Sequence, residues 1–318
     1  MIEVQGLSKV FGATTVVDDL SLRVEVGETL ALLGTSGSGK TTTLKMLNRL
    51  IEPSAGKIFL NGEEVHRLPL EQMRRRMGYV IQDVGLFPHY TIAENIAVVP
   101  RLLKWPEARI QARIQLLLER LGLAPDFFLS RYPHELSGGQ QQRVGIARAL
   151  AAEPPVLLMD EPFSALDPIT RQELRRDFRE LEAFQQQTVV LVTHDVMEAF
   201  ELADRICLLD QGQMQQMGSP RELLFQPTND FVRNFFAAQR LGLAYRVLTV
   251  DDLQELDDTP PPADRQQIEF SATMPLQEVL DQLLAPGSTG RVGVNNAGQW
   301  FSPAQLTQTA AAFLQNAF

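Results

Sequence analysis

Short β-rich runs separated by turn residues open the chain: Ile2–Val4, Thr14–Val17, Leu20–Val26 and then Thr29–Leu33. Gly12, Asp18-Asp19 and Gly27-Glu28 punctuate them, as hairpins and tight connections require. Thr29-Leu30-Ala31-Leu32-Leu33 is apolar without alternation, which predicts a strand buried on both faces. Val156–Met159 and Thr188–Val192 carry the same pattern. After the first of these runs the period changes, with Leu44, Leu47 and Leu50-Ile51 on one helical face. Residues 92–122 read as helical throughout, with Ile110, Ile114, Leu117-Leu118 and Leu121 in one stripe and a stop at Gly122. No strand-like run interrupts that stretch, so a helical insert over about residues 90–150 is expected inside an α/β core. The core is expected to end near Phe231–Phe236, and Asp257-Asp258-Thr259-Pro260-Pro261-Pro262 reads as a stiff solvated spacer beyond it.

The segment between the first buried run and its helix reads Gly34-Thr35-Ser36-Gly37-Ser38-Gly39-Lys40-Thr41-Thr42, a complete G-x-x-x-x-G-K-[ST] phosphate loop. Strand, glycine loop and helix form the context that motif requires. The glycines let backbone N–H groups converge on phosphate oxygens while the helix N-terminus adds partial positive charge. Lys40 is placed to reach the β- and γ-phosphates, and Thr41 to ligate Mg²⁺. Asp160 and Glu161 follow the apolar run Val156–Met159, at the strand end where an open α/β sheet binds ligands. Neighbouring residues there point in different directions, so Asp160 is assigned to Mg²⁺ and Glu161 to the attacking water.

Leu136-Ser137-Gly138-Gly139-Gln140 precedes an apolar helix face at Val144, Ala147 and Leu150-Ala151. Ser-x-x-Gln is a capping box, which accounts for Ser137 and Gln140. The cap leaves the paired glycines Gly138 and Gly139 unaccounted for, and a capped helix start with bare backbone is an anion surface. His194 follows the run Thr188–Val192. A single histidine at a strand end is ordinarily a structural hydrogen-bonder; alongside the other motifs it is assigned to the γ-phosphate. His66, His89 and His134 lack metal-ligand spacing and are read as structural.

The 318 residues can bury one large core or one core and a small extra domain. The formal charge of −10 argues against a nucleic acid partner. Residues 241–318 hold three arginines against nine acidic residues, a net −6, and no lysine; this shift marks a boundary. No run reaches the ~18 apolar residues a membrane helix needs, and the N-terminus lacks a signal-peptide pattern. Cys207 is the only cysteine, so no intrachain disulfide exists. A cytosolic location is expected.

Together these motifs resemble the ATPase subunits of ABC transporters, over about residues 1–236. The resemblance implies a P-loop NTPase fold of the ABC ATPase type: a mixed sheet core, an antiparallel β-subdomain and a helical insert. It implies ATP and Mg²⁺ as ligands, with two ATP molecules sandwiched in a homodimer. Phosphate-loop residues Gly34–Thr42 of one subunit would then face Ser137, Gly138, Gly139 and Gln140 of the other. It makes Gln82 a second Mg²⁺ contact that reports on the membrane partner. Ser164-Ala165-Leu166-Asp167 becomes the segment crossing the dimer interface, and Phe11 stacks on adenine, although an aromatic beside a β-turn can equally be core. A kinase would not need the Leu136–Gln140 motif. A non-transport ABC ATPase ordinarily carries a long coiled coil or a second cassette, and neither is present.

Within the family, Gly78–Gln82, Gly85–His89 and Asn95–Pro100 are similar to importers of glycine betaine, choline and related quaternary amines. Arg74–Met77 and Lys104-Trp105 extend the likeness. The family members sit on the cytoplasmic face of the inner membrane, held by permease subunits and served by an extracytoplasmic substrate-binding protein. An importer ATPase for an amino acid or another small solute is the alternative. Residues 241–318 read as an accessory domain, in which residues 268–318 resemble loosely a regulatory CBS module of α+β type through Ile268–Phe270, a helix near Pro275–Leu284 and Arg291–Gly298. Ser302-Pro303-Ala304-Gln305 departs from that module's nucleotide-binding pattern.

Overall fold

In a computed structural model the described residues are 1–82, 84–164, 166–180, 187–252, 267–271, 273–285, 292–294 and 300–317. The chain divides into two compact units, Met1–Met217 and Gly218–Phe318. The division falls before the expected end of the core at 236.

In the first unit, β1 (Ile2–Phe11) pairs antiparallel with β2 (Thr14–Val24) and with β4 (Ala55–Leu60). With β5 (Glu63–Glu64) they form a four-stranded sheet, ordered β2-β1-β4-β5. The two runs expected over 14–26 are one strand. Asp18-Asp19 does not turn the chain: Asp19 takes φ +49 within the strand, and the register against β1 shifts around it. Its N–H donates to Ser8 Oγ at 3.0 Å, so a bulge absorbs the polar pair.

The second sheet has six strands in the order β10-β9-β3-β8-β7-β6. They are β3 (Thr29–Gly34), β6 (Met77–Val80), β7 (Val156–Asp160), β8 (Thr188–Val192), β9 (Arg205–Asp210) and β10 (Gln213–Gly218). β9, β3, β8, β7 and β6 run parallel. Every residue of β3, β7 and β8 is buried, as their unbroken apolar runs require. One core lies between this sheet and the four-stranded one, around Leu30, Leu32, Leu44, Leu158 and Val190. The other lies beneath α3 (Ile92–Leu102), α4 (Glu107–Arg120) and α6 (Gly138–Leu150), with α5 (Pro125–Phe128) beside them. The stripe Ile110, Ile114, Leu117, Leu118 and Leu121 is fully inside it. α1 (Lys40–Leu47), α2 (Leu70–Arg75), α7 (Pro168–Glu180) and α8 (Val196–Leu202) complete the unit.

In the second unit, α9 (Pro220–Phe225) packs on α10 (Asp230–Phe235) and on α11 (Arg240–Val247). That packing is why residues 218–236 group with the C-terminal part of the chain. β11 (Gln267–Glu269) pairs parallel with β12 (Val292–Val294), which pairs antiparallel with β13 (Trp300–Phe301). α12 (Leu276–Leu283) and α13 (Pro303–Ala317) flank this three-stranded sheet. Ser302 and Gln305 exchange N-cap hydrogen bonds of 2.8 and 3.2 Å, which gives this segment a structural task at the start of α13. The expected spacer at 257–262 and the Asn295–Gly298 turn lie outside the described residues.

Leu158, in the middle of β7, is completely buried. Leu158→Ala is expected to cost about 2–5 kcal/mol, read as a lowered urea midpoint at unchanged m-value.

Candidate functional site

The phosphate loop leaves the end of β3 under steric constraints only glycine meets. Gly34 has φ +150, and a Cβ there would lie 1.9 Å from the Leu209 carbonyl oxygen. Gly39 has φ +93, and its Cβ would lie 2.5 Å from the Val16 carbonyl oxygen. At Gly34 and Gly39 the loop is therefore pressed against β9 and β2 with no room for a Cβ. Lys40 is drawn into it: Nζ donates to Thr35 O at 2.7 Å, Gly34 O at 3.0 Å and Ser38 Oγ at 3.4 Å. Burial lowers the Lys40 pKa, and the charges of Glu161 and Asp160 oppose that shift. Thr35 Oγ1 in turn donates to Asp210 Oδ1 at 2.6 Å, tying the loop to the end of β9.

Asp160 is buried at the end of β7 and accepts 2.8 Å from Thr41 Oγ1. Burial raises its pKa, and the Thr41 hydrogen bond is the largest opposing effect. The next residue breaks the strand. Glu161 sits at φ +46, a conformation costly for a residue with a side chain. It is held there because its N–H donates to Val192 O at 2.9 Å, while Ser164 N and Oγ donate to its carbonyl at 3.2 and 3.0 Å. The turn separates the partners of the two carboxylates. Glu161 Oε2 lies 3.2 Å from His194 Nδ1 and accepts 3.4 Å from Gln82 Nε2. Gln82, Glu161 and His194, expected from sequence as separate participants, thus converge on one oxygen.

Ser137 caps α6, with Gln140 N donating to its Oγ at 3.3 Å and Ser137 N donating to Gln140 Oε1 at 3.0 Å. The paired glycines have different reasons. A Cβ on Gly139 would lie 2.8 Å from Thr170 Cγ2 of α7, so close packing excludes one; a Cβ on Gly138 would meet nothing within 4 Å. Among the described residues no hydrogen bond or ion pair joins Ser137–Gln140 to Gly34–Thr42. Asp167 is exposed, and its Oδ1 accepts from Ile169 N and Thr170 N at the start of α7. Phe11 is half exposed at the end of β1, with Lys9 Nζ 4.9 Å from its ring centroid. Ala165 lies outside the described residues.

Two arginines beside these residues escape a sequence reading. Arg148 of α6 donates to Val84 O at 2.8 Å and Gly85 O at 2.7 Å, just after Gln82. Arg171 of α7 donates to Phe163 O, Ser164 O and Leu166 O. A helical arginine is ordinarily solvated, and neither sits in a motif, so no local signal marks them.

The ABC transporter family model matches residues 17–164. Over 299 residues the chain is 48% identical to the glycine betaine uptake system ATP-binding protein YehX of Escherichia coli, covering 94% of this chain and 96% of that one. The chain belongs to the ABC transporter family. It is 52% identical over 242 residues to the glycine betaine/carnitine/choline transport ATP-binding protein OpuCA of Bacillus subtilis, covering 76% of this chain and 63% of that relative. Among solved structures, the dimeric ATP-binding cassette MJ0796 in a post-hydrolysis state bound to ADP and Pi aligns with TM-score 0.62 and 31% identity. That alignment covers 69% of this chain and 98% of the other. The ABC ATPase fold read from the sequence is thereby shown, and this family member is a nucleotide-binding ATPase. Among the described residues, no helix is long and apolar enough to cross a membrane.

Behind His194, Glu198 is buried in α8, and its pKa is pushed up to about 8 by burial and then by Asp195, against the pull of Arg175. A carboxyl raised above its unfolded value stabilises the fold at low pH, and that contribution is lost as pH rises towards 8. The melting temperature is therefore expected to fall from pH 6 to pH 9 by more in the native chain than in Glu198→Gln, which cannot ionise. Differential scanning fluorimetry at the two pH values measures the difference.

Proposed function

We propose that this chain is the ATP-hydrolysing subunit of a membrane importer for quaternary amines of the glycine betaine and choline type. The observation that carries the catalytic reading is the meeting of Gln82, Glu161 and His194 on one carboxylate oxygen, beside the loop that encloses Lys40. The substrate class is supported by the relatives, whose names specify glycine betaine, carnitine and choline.

In this reading Lys40 and the backbone N–H groups of Gly34–Thr42 bind the β- and γ-phosphates of ATP, and Phe11 stacks on adenine. Glu161 accepts a proton from the water whose oxygen attacks the γ-phosphorus; the bond to the β-phosphate oxygen breaks and ADP leaves. His194 positions the Glu161 carboxylate and the γ-phosphate. Mg²⁺ fits the residues present: Thr41 and Asp160 offer oxygen donors already 2.8 Å apart, the class a small hard cation takes. No group of three or more His, Cys, Asp or Glu that could hold a metal occurs among the described residues. The protein's share of the coordination is accordingly small, as where substrate phosphates supply the rest. Thr41, Asp160 and Gln82 would hold the ion, which neutralises phosphate charge when bound.

The open surface at Gly138 and the dimeric solved relative support a homodimer in which Ser137, Gly138, Gly139, Gln140 and Asp167 complete the partner's site. The subunit would sit at the cytoplasmic face of the membrane on permease subunits, supplied by a substrate-binding protein outside. Phe87 and Tyr90, with ring centroids 5.3 Å apart and the rings tilted at 46°, are half exposed between Gln82 and α3 and suited to such docking. The second unit serves as an accessory regulatory domain of CBS-like type.

Lys40→Ala is expected to abolish binding of a fluorescent ATP analogue, and unchanged affinity would refute the phosphate-loop assignment. Glu161→Gln should bind ATP, lose turnover by at least ~10² and elute as an ATP-dependent dimer on size exclusion. His194→Ala should retain binding while hydrolysis slows sharply. Normal turnover in either variant removes the catalytic reading.

A further inference from the structure

Behind the site, the loop carrying His194 and the loop following Glu161 are fastened to one another. Asp195, next to His194, is the N-cap of α8, with Oδ1 accepting from Met197 N at 2.9 Å and Glu198 N at 3.3 Å. Its other oxygen, Oδ2, faces two arginines of α7: Arg175 Nη1 at 3.5 Å and Arg171 Nη1 at 3.8 Å. Arg171 spends its remaining donors elsewhere. Nε donates to Phe163 O at 3.1 Å, and Nη2 donates to Leu166 O at 2.9 Å and Ser164 O at 3.3 Å. These three carbonyls belong to the turn that holds Glu161 at its positive φ, since Ser164 N and Oγ bond the Glu161 carbonyl. Arg175 is anchored from the far side by Glu201 Oε2, 3.2 Å from its Nε.

We infer that Arg171 is a positioning residue for hydrolysis: its planar guanidinium fixes the Glu161 turn relative to the His194 loop, through Asp195. This rests on the roles proposed above for Glu161 and His194. The geometry favours function over simple packing for two reasons. The hydrogen bonds go to backbone of a turn that already carries strain at Glu161, where small displacements are cheap unless something opposes them. The two loops also have only one other tie at backbone level among the described residues, Glu161 N to Val192 O. Without Arg171, the loops around the 3.2 Å contact between Glu161 Oε2 and His194 Nδ1 would keep the backbone bond from Glu161 N to Val192 O and the Arg175–Asp195 pair, but would lose the side-chain donors to the carbonyls of Phe163, Ser164 and Leu166. A guanidinium can serve three carbonyls and a carboxylate at once because its five N–H groups diverge in one plane; an ammonium of the same charge cannot.

The test uses the full-length chain and steady-state ATP hydrolysis. Arg171→Ala and Arg171→Lys are both expected to lower kcat by between about 10- and 100-fold, with KM for ATP within about twofold of the native value. Arg171→Lys retains charge opposite Asp195 and guards against a folding failure in Arg171→Ala. Asp195→Asn keeps the helix cap, because asparagine caps as well as aspartate, but removes the charge that faces Arg171; a smaller loss of kcat than in Arg171→Lys is expected. In a Glu161→Gln background, Arg171→Lys should lower the residual rate no further, since a group that acts through Glu161 has nothing left to position. Native kcat in Arg171→Lys, or the same fold-loss in both backgrounds, overturns the inference. Native turnover in Glu161→Gln alone would instead sink the functional reading on which it rests.

Discussion

The register of three parallel strands is the constraint on which the site depends. Val192 of β8 stands opposite Leu32 of β3 on one side and Asp160 of β7 on the other. From that line, Gly34 lies two residues onward, Glu161 one and His194 two. A slip of a single residue would reverse the faces and separate the groups along the edge. The register is fixed by burial on both faces, because Thr29–Gly34, Val156–Asp160 and Thr188–Val192 are buried throughout. Gly34, Glu161 and His194 therefore inherit their positions from the apolar side chains of the strands that carry them.

The electrostatics of the edge follow from the same burial. Lys40 and Asp160 are each almost wholly enclosed, and desolvation pushes both towards neutrality, the lysine down and the carboxyl up. Their charges oppose those shifts mutually, and Glu161 assists the lysine while working against Asp160. The loop adds carbonyl oxygens that satisfy the ammonium directly. Such an enclosure keeps a cation available at little reorganisation cost when an anion arrives, the arrangement that makes preorganised sites effective.

Much of this was legible in the sequence because the chemistry demands particular residues in particular order. Phosphate-loop glycines, a strand ending in Asp-Glu and a capped Ser-Gly-Gly-Gln helix are local patterns with local causes. The apolar runs marked the buried strands, and the stripe from Ile110 to Leu121 marked its helix. What the sequence concealed is long-range or conformational. Asp18-Asp19 resembles a turn because polar pairs ordinarily end strands, and only pairing with β1 shows a bulge. The end of the first unit fell before Phe236 because α9 packs on α10 and α11, a tertiary choice their amphipathic patterns do not announce. Arg148 and Arg171 act through backbone carbonyls, which leave no residue-specific trace in their partners. The paired glycines divide only in three dimensions, one against Thr170 and the other against open space.

That division bears on how the site is completed. Gly139 belongs to the packing of α6 on α7, so its absence of side chain is satisfied within the chain. Gly138 has no such reason: a Cβ there would meet nothing within 4 Å, and its N–H lies at the capped start of a thirteen-residue helix. A bare backbone held open at a positive helix end is suited to an anion. Yet among the described residues nothing binds Ser137–Gln140 to the loop around Lys40. In the homodimer proposed above, a phosphate held by Lys40 of one chain would be met by Gly138 of the other. The loop around Lys40 and the start of α6 would there act as two half-sites, each supplying what the other lacks. Hydrolysis would depend on their meeting, and Arg171 joins the two concerns, since the turn it holds runs from Glu161 to Asp167 at the exposed start of α7.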